Sequence, residues 1–494
     1  MIEPLPSLRK TMVEGGAVLL ASQLAKLCLQ LVAVSVISHL LQPRDYGLIA
    51  LAAPFLAFAT LLGDFGFSQV VVQKGEISQE QLSALFWITL VMGCLLAAAL
   101  AMSAPFTGRF YREPLLVLPM IALSSLLIFK AMSAPQMALL TRYMRFRAIA
   151  AVEISSVVIG SAIGILVAWS TRSFWALVAS QAVVSICTVA GTWIASRWRP
   201  SFLWRAPEIG LLLRFGRNVA GFNLVNFFAR NLDNVLIGKV WGDAMLGSYD
   251  QAYKMLLFPL NQITAPLGRL ALPLLSRLLP EPERYRRSYF SLLEKILVLT
   301  VPLTAYLLVM ADRIIPAFLG PQWHAVIPIF QWLGLGAFFA PIANSTGWLF
   351  MSQNRTGEMF VVGMVSSTLF ILSFFIGIGA GGLGVARAYI LMGYFVQAPI
   401  MIWAVTRSGP VNLKHIVGMI ATFAIGTVGT LAILYVAKLA LLSNSIVATA
   451  LGLPLAYPIF LAVLTLFPEG RLVMREIWAI LRRAVKGHDV NLLP

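Results

Sequence analysis

Fourteen apolar runs, each long enough to cross a bilayer as a helix, recur along the chain from residues 15–40 to 443–467. A spanning helix needs ~20 mostly apolar residues, and backbone amides inside a bilayer have no water to bond, so such runs must fold as helices. The composition agrees: 59% of residues are hydrophobic, 12% are charged, and the mean hydropathy is +0.85. Soluble domains carry ~25% charged residues, so a soluble enzyme is excluded. Disorder is excluded too, because disordered chains are poor in apolar residues. The predicted fold class is an all-α polytopic membrane protein with about fourteen transmembrane helices. The first run follows Arg9 and Lys10. It is too long for a signal-peptide core and lacks a small-residue cleavage site, so it reads as an uncleaved helix.

Charge gives the orientation. The chain holds 37 Lys and Arg against 20 Asp and Glu, a formal net charge of +17. With connections assigned alternately to the two sides, 24 basic residues fall on the side of the N-terminus and 7 on the other. Basic residues collect on the cytoplasmic side, which predicts a multi-pass membrane protein with both termini cytoplasmic. Most of the surplus is therefore topology and contact with membrane lipids rather than nucleic-acid binding.

Six basic residues fall inside the runs: Lys26, Lys130, Arg230, Lys254, Arg269 and Arg387. The acids read with them are Asp64, Glu153 and Asp233. A charge at a helix centre costs roughly 2.5–3.5 kcal/mol on insertion scales, so these groups face the interior, a wet cavity or each other. Lys26, Arg230, Lys254 and Arg269 are expected at an internal cavity. For Lys130 and Arg387, snorkelling toward a helix end is an equal alternative.

The sequence also repeats. The break after the first run contains Asp45 and Gly47, and the break after the seventh contains Asp243 and Gly247. The glycines are 200 residues apart, an offset that Gly16 and Gly216 share. Runs 1–6 and 7–12 therefore read as two copies of a six-helix unit inserted in the same sense, the parallel-repeat plan of some transporters. The expected organisation is an N-lobe over 1–196, a basic cytoplasmic linker over 197–216 and a C-lobe over 217–407. Two further helices over 408–467 and a basic tail over 468–494 follow. At this offset Lys26 matches Asn226, one turn from Arg230, so each lobe's first helix carries a cation on a similar face.

Motifs for other chemistry are weak. Gly379–Gly384 has formal GxGxxG spacing, but it joins two membrane helices and reads as a tight turn. Asn344-Ser345-Thr346 lies inside a run and reads as a polar helix-packing patch. No GxxxxGK[ST] nucleotide loop is present, the three cysteines form no CxxC, and His39, His324, His415 and His488 have no ligand spacing. No cofactor or metal is expected.

Several segments resemble one family. Gly247-Ser248-Tyr249, Ala252-Tyr253-Lys254, Pro259-Leu260-Asn261 and Leu272-Pro273 through Ser276-Arg277 are similar to the eighth helix of bacterial polysaccharide-repeat flippases. Asn231-Leu232-Asp233-Asn234 with Ile237-Gly238-Lys239 resembles their seventh helix, and Pro43-Arg44-Asp45-Tyr46-Gly47 their first break. Leu319-Gly320-Pro321-Gln322-Trp323 resembles the turn before their tenth.

The resemblance implies the MATE-like superfamily: two six-helix lobes, a central cavity and alternating access. It implies transport of a polyprenyl-diphosphate-linked oligosaccharide for O-antigen, exopolysaccharide or capsule assembly, with polysaccharide polymerase and export machinery as possible partners. A buried diphosphate needs fixed cations, for which Lys26, Arg230, Lys254 and Arg269 are the candidates. Asn223, Asn226, Asn231, Tyr249 and Tyr253 are candidate sugar contacts, equally readable as helix–helix hydrogen bonds. Coupling to H⁺ or Na⁺ would involve Asp64 or Asp233 if burial favours their protonated forms; a fixed pair of Asp233 with Arg230 is the alternative. Competing functions are a peptidoglycan lipid-precursor flippase and an ion-coupled MATE-type drug antiporter. The basic excess inside the runs disfavours the antiporter. A membrane enzyme of polysaccharide assembly is disfavoured by the absence of a large outer domain.

Overall fold

The computed structural model describes residues 8–63, 71, 77–202, 209–440 and 446–485, and all regular structure among them is helical. They form two compact units, Met1–Gly247 and Ser248–Pro494. Unit one contains α1 (Leu8–Leu40), α2 (Pro43–Gly63), α3 (Gln79–Tyr111), α4 (Val117–Arg142), α5 (Phe146–Thr171) and α6 (Trp175–Ser196). Next comes α7 (Ile209–Leu278), which breaks at Gly242, where φ is 81° and ψ is −173°. Glycine alone holds that backbone without strain. The break turns one continuous helical stretch into two helices, α7a before it and α7b after it.

Unit two holds most of α7b, then α8 (Pro282–Val309), α9 (Ala311–Leu319), α10 (Val326–Ala337), α11 (Ala340–Ser352) and α12 (Thr356–Gly377). It closes with α13 (Gly381–Met392), α14 (Ala398–Thr406), α15 (Leu413–Ala440), α16 (Ile446–Thr465) and α17 (Pro468–Val485).

Among the described residues helix lies in each of the fourteen expected runs, and ten helical stretches are long and apolar enough to cross a membrane. The chain is an all-α polytopic membrane protein. Two runs are internally broken, each at a proline. Run 324–350 divides into α10 and α11 before Pro341, and run 383–406 widens into a π turn over Gly393–Gln397 before Pro399. Proline supplies no amide for the helical ladder and crowds the preceding turn, so the backbone opens there. The glycine-rich motif is a turn, as expected. Gly381 has φ 72°, and Gly377 and Gly384 approach so closely that a Cβ on either would strike the other's carbonyl.

Helix ends are locally encoded. Ser78 caps α3: its side chain accepts from the Gln81 amide, and the Gln81 side chain accepts from the Ser78 amide. This is a capping box. Arg112, Arg172 and Arg197 stop α3, α5 and α6 in the left-handed region, with φ of 58°, 45° and 54°. Each places a cation at the negative end of a helix dipole.

The connections of unit one alternate between its two ends. At one end the Phe174 amide donates to Asp45 Oδ1 at 3.1 Å, and Arg44 reaches Glu113 at 3.4 Å and Asp243 at 2.9 Å. The turns α1–α2, α3–α4 and α5–α6 and the α7 break therefore lie together. At the other end Arg145 donates to the Ala195 carbonyl at 2.7 Å, Gln79 to the Arg199 carbonyl at 2.9 Å, and the Ser201 amide to Ser83 Oγ at 3.0 Å. The strongly basic connections occupy this second end.

Close packing within units uses small residues. Gly160 and Gly164 of α5 face Val184 and Ser180 of α6, where added Cβ atoms would collide, so this GxxxG spacing packs two helices of one chain. In unit two, Tyr285 and Tyr289 of α8 are buried and share hydrogen bonds with Ser352 (2.6 Å) and Ser345 (2.8 Å) of α11. The Asn344-Ser345-Thr346 segment is thus a helix-packing patch through Ser345.

Candidate functional site

The described intramembrane charges are mostly paired. In unit one, Lys26 Nζ of α1 lies 3.4 Å from Glu153 Oε2 of α5, with the two side chains 27% and 26% exposed. Gln23, one turn earlier on α1, donates to the same carboxylate oxygen at 3.4 Å. Both distances are long for charge-assisted hydrogen bonds. The pair is loose and only partly buried, and could exchange one anion for another.

In unit two, Lys254 Nζ meets Asp250 Oδ2 at 2.6 Å across one turn of α7b. Asp250 lies within run 246–275 and was not set beside Asp64, Glu153 and Asp233. Spacing i, i+4 puts it on the lysine's face, so Lys254, expected at an internal cavity, carries its own counter-ion. Tyr249 and Tyr253 of the same helix stack with ring centroids 6.4 Å apart; Tyr249 is buried and Tyr253 is exposed. Tyr253 is thus the one of the two that presents a ring face outward, whereas Tyr249 packs.

Asp233 of α7a is buried, and its Oδ1 accepts from the Asn234 amide at 2.8 Å. Asn231 is half-buried two residues earlier. Asp64 lies outside the described residues. Arg230, Arg269, Asn223 and Asn226 lie on helix α7, but their side chains are outside those described.

Two cavities are lined by other residues. One, in unit one, lies between α2, α3 and α4 and is lined by Thr60, Gly63, Thr89, Leu127, Lys130 and Pro135 among others. Lys130 is the charged group in its wall and was not among the expected substrate contacts. The other, in unit two, lies between α7b, α8 and α11, with Thr264, Asn344 and Trp348 in its wall. A tryptophan face, an amide and a hydroxyl are the groups that sugars stack on and bond to. Asn344 and Trp348 are four residues apart, and that spacing was the available signal. Among the described residues no cluster of three or more His, Cys, Asp or Glu could hold a metal.

The sequence profile of the family described as "Polysaccharide biosynthesis protein" matches residues 36–328, more than half of the chain. The chain belongs to that family. It is 24% identical over 406 residues to lipopolysaccharide biosynthesis protein WzxC of Escherichia coli K12, a match covering 79% of this chain and 82% of that one. It is 24% identical to teichuronic acid biosynthesis protein TuaB of Bacillus subtilis 168, over 77% and 79% of the two chains. It is 23% identical to succinoglycan biosynthesis transport protein ExoT of Rhizobium meliloti 1021, over 62% of each.

Among solved structures, a lipid II flippase MurJ in an inward closed conformation superposes with a TM-score of 0.69 at 14% identity, covering 89% of this chain and 97% of that one. A multidrug MATE transporter in its inward-facing conformation gives 0.60 at 13% identity, over 77% and 93%. At these identities the likeness concerns the fold. This member of the polysaccharide biosynthesis family is therefore a multi-pass membrane protein with a transporter fold.

Proposed function

We propose that the chain is a flippase that moves polyprenyl-diphosphate-linked oligosaccharide repeat units across a bacterial inner membrane by alternating access, for assembly into a surface polysaccharide. What carries this reading is the family match over 36–328 on a fold that a lipid II flippase shares. The chemistry of the interior supports it. A diphosphate needs cations, which Lys26, Arg230, Lys254 and Arg269 would provide, and the Lys26–Glu153 pair is loose enough to trade its carboxylate for a phosphate. Tyr253, Asn231, Asn223 and Asn226 would meet sugar hydroxyls.

Both termini and the strongly basic connections would face the cytoplasm. Coupling would use H⁺ or Na⁺ through Asp233, which is buried, or Asp64. A polymerase and export machinery outside would consume the product. The N-lobe over 1–196 and C-lobe over 217–407 would be the moving bodies.

The test is genetic and chemical. Deleting the gene should stop surface polysaccharide and accumulate lipid-linked repeat units on the inner leaflet, and a plasmid copy should restore export. Export undiminished by deletion would overturn the reading. Lipid II accumulating in place of polysaccharide repeat units would reassign the substrate.

A further inference from the structure

Four of the six basic residues inside the spans have described side chains, and three of those have a partner. Lys26 has Glu153, Lys254 has Asp250, and the Arg387 guanidinium lies 5.3 Å from the centre of the Trp332 ring. Lys130 is the fourth, and among the described residues its ammonium meets neither a carboxylate nor an aromatic face. It projects from the middle of α4, which runs from Val117 to Arg142. At 1.5 Å per residue it sits ~18–20 Å from either end of the helix. A four-carbon stem cannot carry the ammonium from there to water at an interface, so the snorkelling alternative falls. Lys130 instead lines the unit-one cavity, where, among the described residues, Thr60 of α2 and Thr89 of α3 are the other polar side chains of the wall.

The two threonines are not equivalent. The Thr89 hydroxyl donates to the Leu85 carbonyl at 2.7 Å, which commits its proton and leaves only lone pairs. Thr60 makes no such bond among the described residues, so its hydroxyl can donate. The rest of the wall, including Leu96, Leu127 and Ala134, is apolar. The cavity therefore offers one compact positive charge, one free donor and an aliphatic lining. That set suits a phosphate joined to a hydrocarbon chain, because the ammonium meets the anion and the aliphatic wall meets the chain.

We propose that Lys130, assisted by Thr60, is an anion-binding subsite that takes the diphosphate of the lipid-linked substrate, with the adjoining isoprene units against the aliphatic wall. This rests on the flippase reading and adds to it a phosphate contact in unit one, outside the Lys26 and α7 cations. Among the described residues Lys130 meets no carboxylate, and an ammonium inside a membrane span is costly until an anion arrives, which makes it selective for a charged ligand.

The test uses purified full-length protein in lipid nanodiscs, with farnesyl diphosphate, farnesol and glucuronate as probes and binding followed by native mass spectrometry. Wild type should bind farnesyl diphosphate at least tenfold more tightly than farnesol. Lys130→Gln should lose about tenfold of that affinity, the scale of one charge-assisted hydrogen bond, while Lys130→Arg keeps most of it and Thr60→Val loses a few-fold. If wild type shows no preference for the diphosphate, the flippase reading fails along with the subsite. If wild type shows the preference and Lys130→Gln and Thr60→Val keep it in full, the subsite alone is overturned. Glucuronate binding that falls in Lys130→Gln while farnesyl diphosphate binding does not would also overturn it, because the ligand would then be an acidic sugar.

Discussion

Gly47 and Gly247 each lie against the other's turn. A Cβ on Gly47 would strike the carbonyl of Asp243, and a Cβ on Gly247 would strike the carbonyl of Pro43. Positions 43 and 243, like 47 and 247, are 200 residues apart, so the contact is reciprocal between repeat-related sites. The contact lies within unit one, where the α1–α2 turn meets the α7 break, and Arg44 closes it onto Asp243 at 2.9 Å. Replacing either glycine by alanine drives a methyl into backbone that cannot rotate away. Gly47→Ala and Gly247→Ala should each cost about 1–3 kcal/mol, read as a lower melting temperature in detergent, whereas Gly357→Ala, with open space around it, should leave stability unchanged.

The same contact should act as a gate if transport alternates between two faces. With Cys28, Cys94 and Cys187 replaced by alanine, Arg44→Cys and Asp243→Cys placed together can be bridged by a short reducible bifunctional thiol reagent. Bridged protein should lose export and regain it on reduction. Export that continues at full rate with the bridge intact would show that these turns stay together through the cycle.

The Lys26–Glu153 pair separates binding from architecture. Lys26→Ala leaves a partly buried carboxylate with the Gln23 amide but no counter-charge and should lower both stability and export, and Glu153→Gln should lower stability less. The charge swap Lys26→Glu with Glu153→Lys restores the pair. If Lys26 contacts the substrate, the swap should recover the melting temperature without recovering export. Recovery of both would reduce Lys26 to a structural role.

Much of this was legible in the sequence, and what was not has physical reasons. Apolar runs fixed α1 to α8, α12, α15 and α16 because a bilayer imposes length and hydropathy on every spanning helix. α9 is nine residues long and contains Pro316, too short and too interrupted to register as a run. The helix α17 lay hidden in a basic tail, although Arg471 and Arg475 recur one turn apart and Val473 joins the apolar core of unit two. The excess of intramembrane cations was overestimated because Asp250 was not set against Lys254, its neighbour one turn on. Conversely, nothing local in the sequence distinguishes Lys130 from Arg387. Only tertiary packing shows that one has Trp332 beneath it and the other faces a cavity.

Orientation can be settled by labelling. A membrane-impermeant maleimide should reach Glu113→Cys, in the α3–α4 turn, in intact spheroplasts, and should reach Ser408→Cys and Gln79→Cys only after the membrane is broken. The reverse pattern would invert the topology that the 24-to-7 charge asymmetry predicts.

Arg355 is the residue most tied to the basic end of unit two. Its guanidinium donates to the carbonyls of Ala404 and Ser408 at 2.7 Å each and to Glu358 at 2.7 Å, and Glu358 also accepts from Arg407 at 2.7 Å. It thereby joins the start of α12 to the Ala404 carbonyl in the last turn of α14, where carbonyls lack a helix amide, and to the Ser408 carbonyl just beyond that helix. Lysine carries the charge but not the planar fork, so it cannot hold two carbonyls and a carboxylate at once. Arg355→Lys should therefore lose about 1.5–3 kcal/mol, the scale of one or two charged hydrogen bonds, and Arg355→Ala more. Thermal unfolding in nanodiscs measures both. A lysine variant as stable as wild type would show that the charge alone, rather than the bridging geometry, holds these two helix ends together.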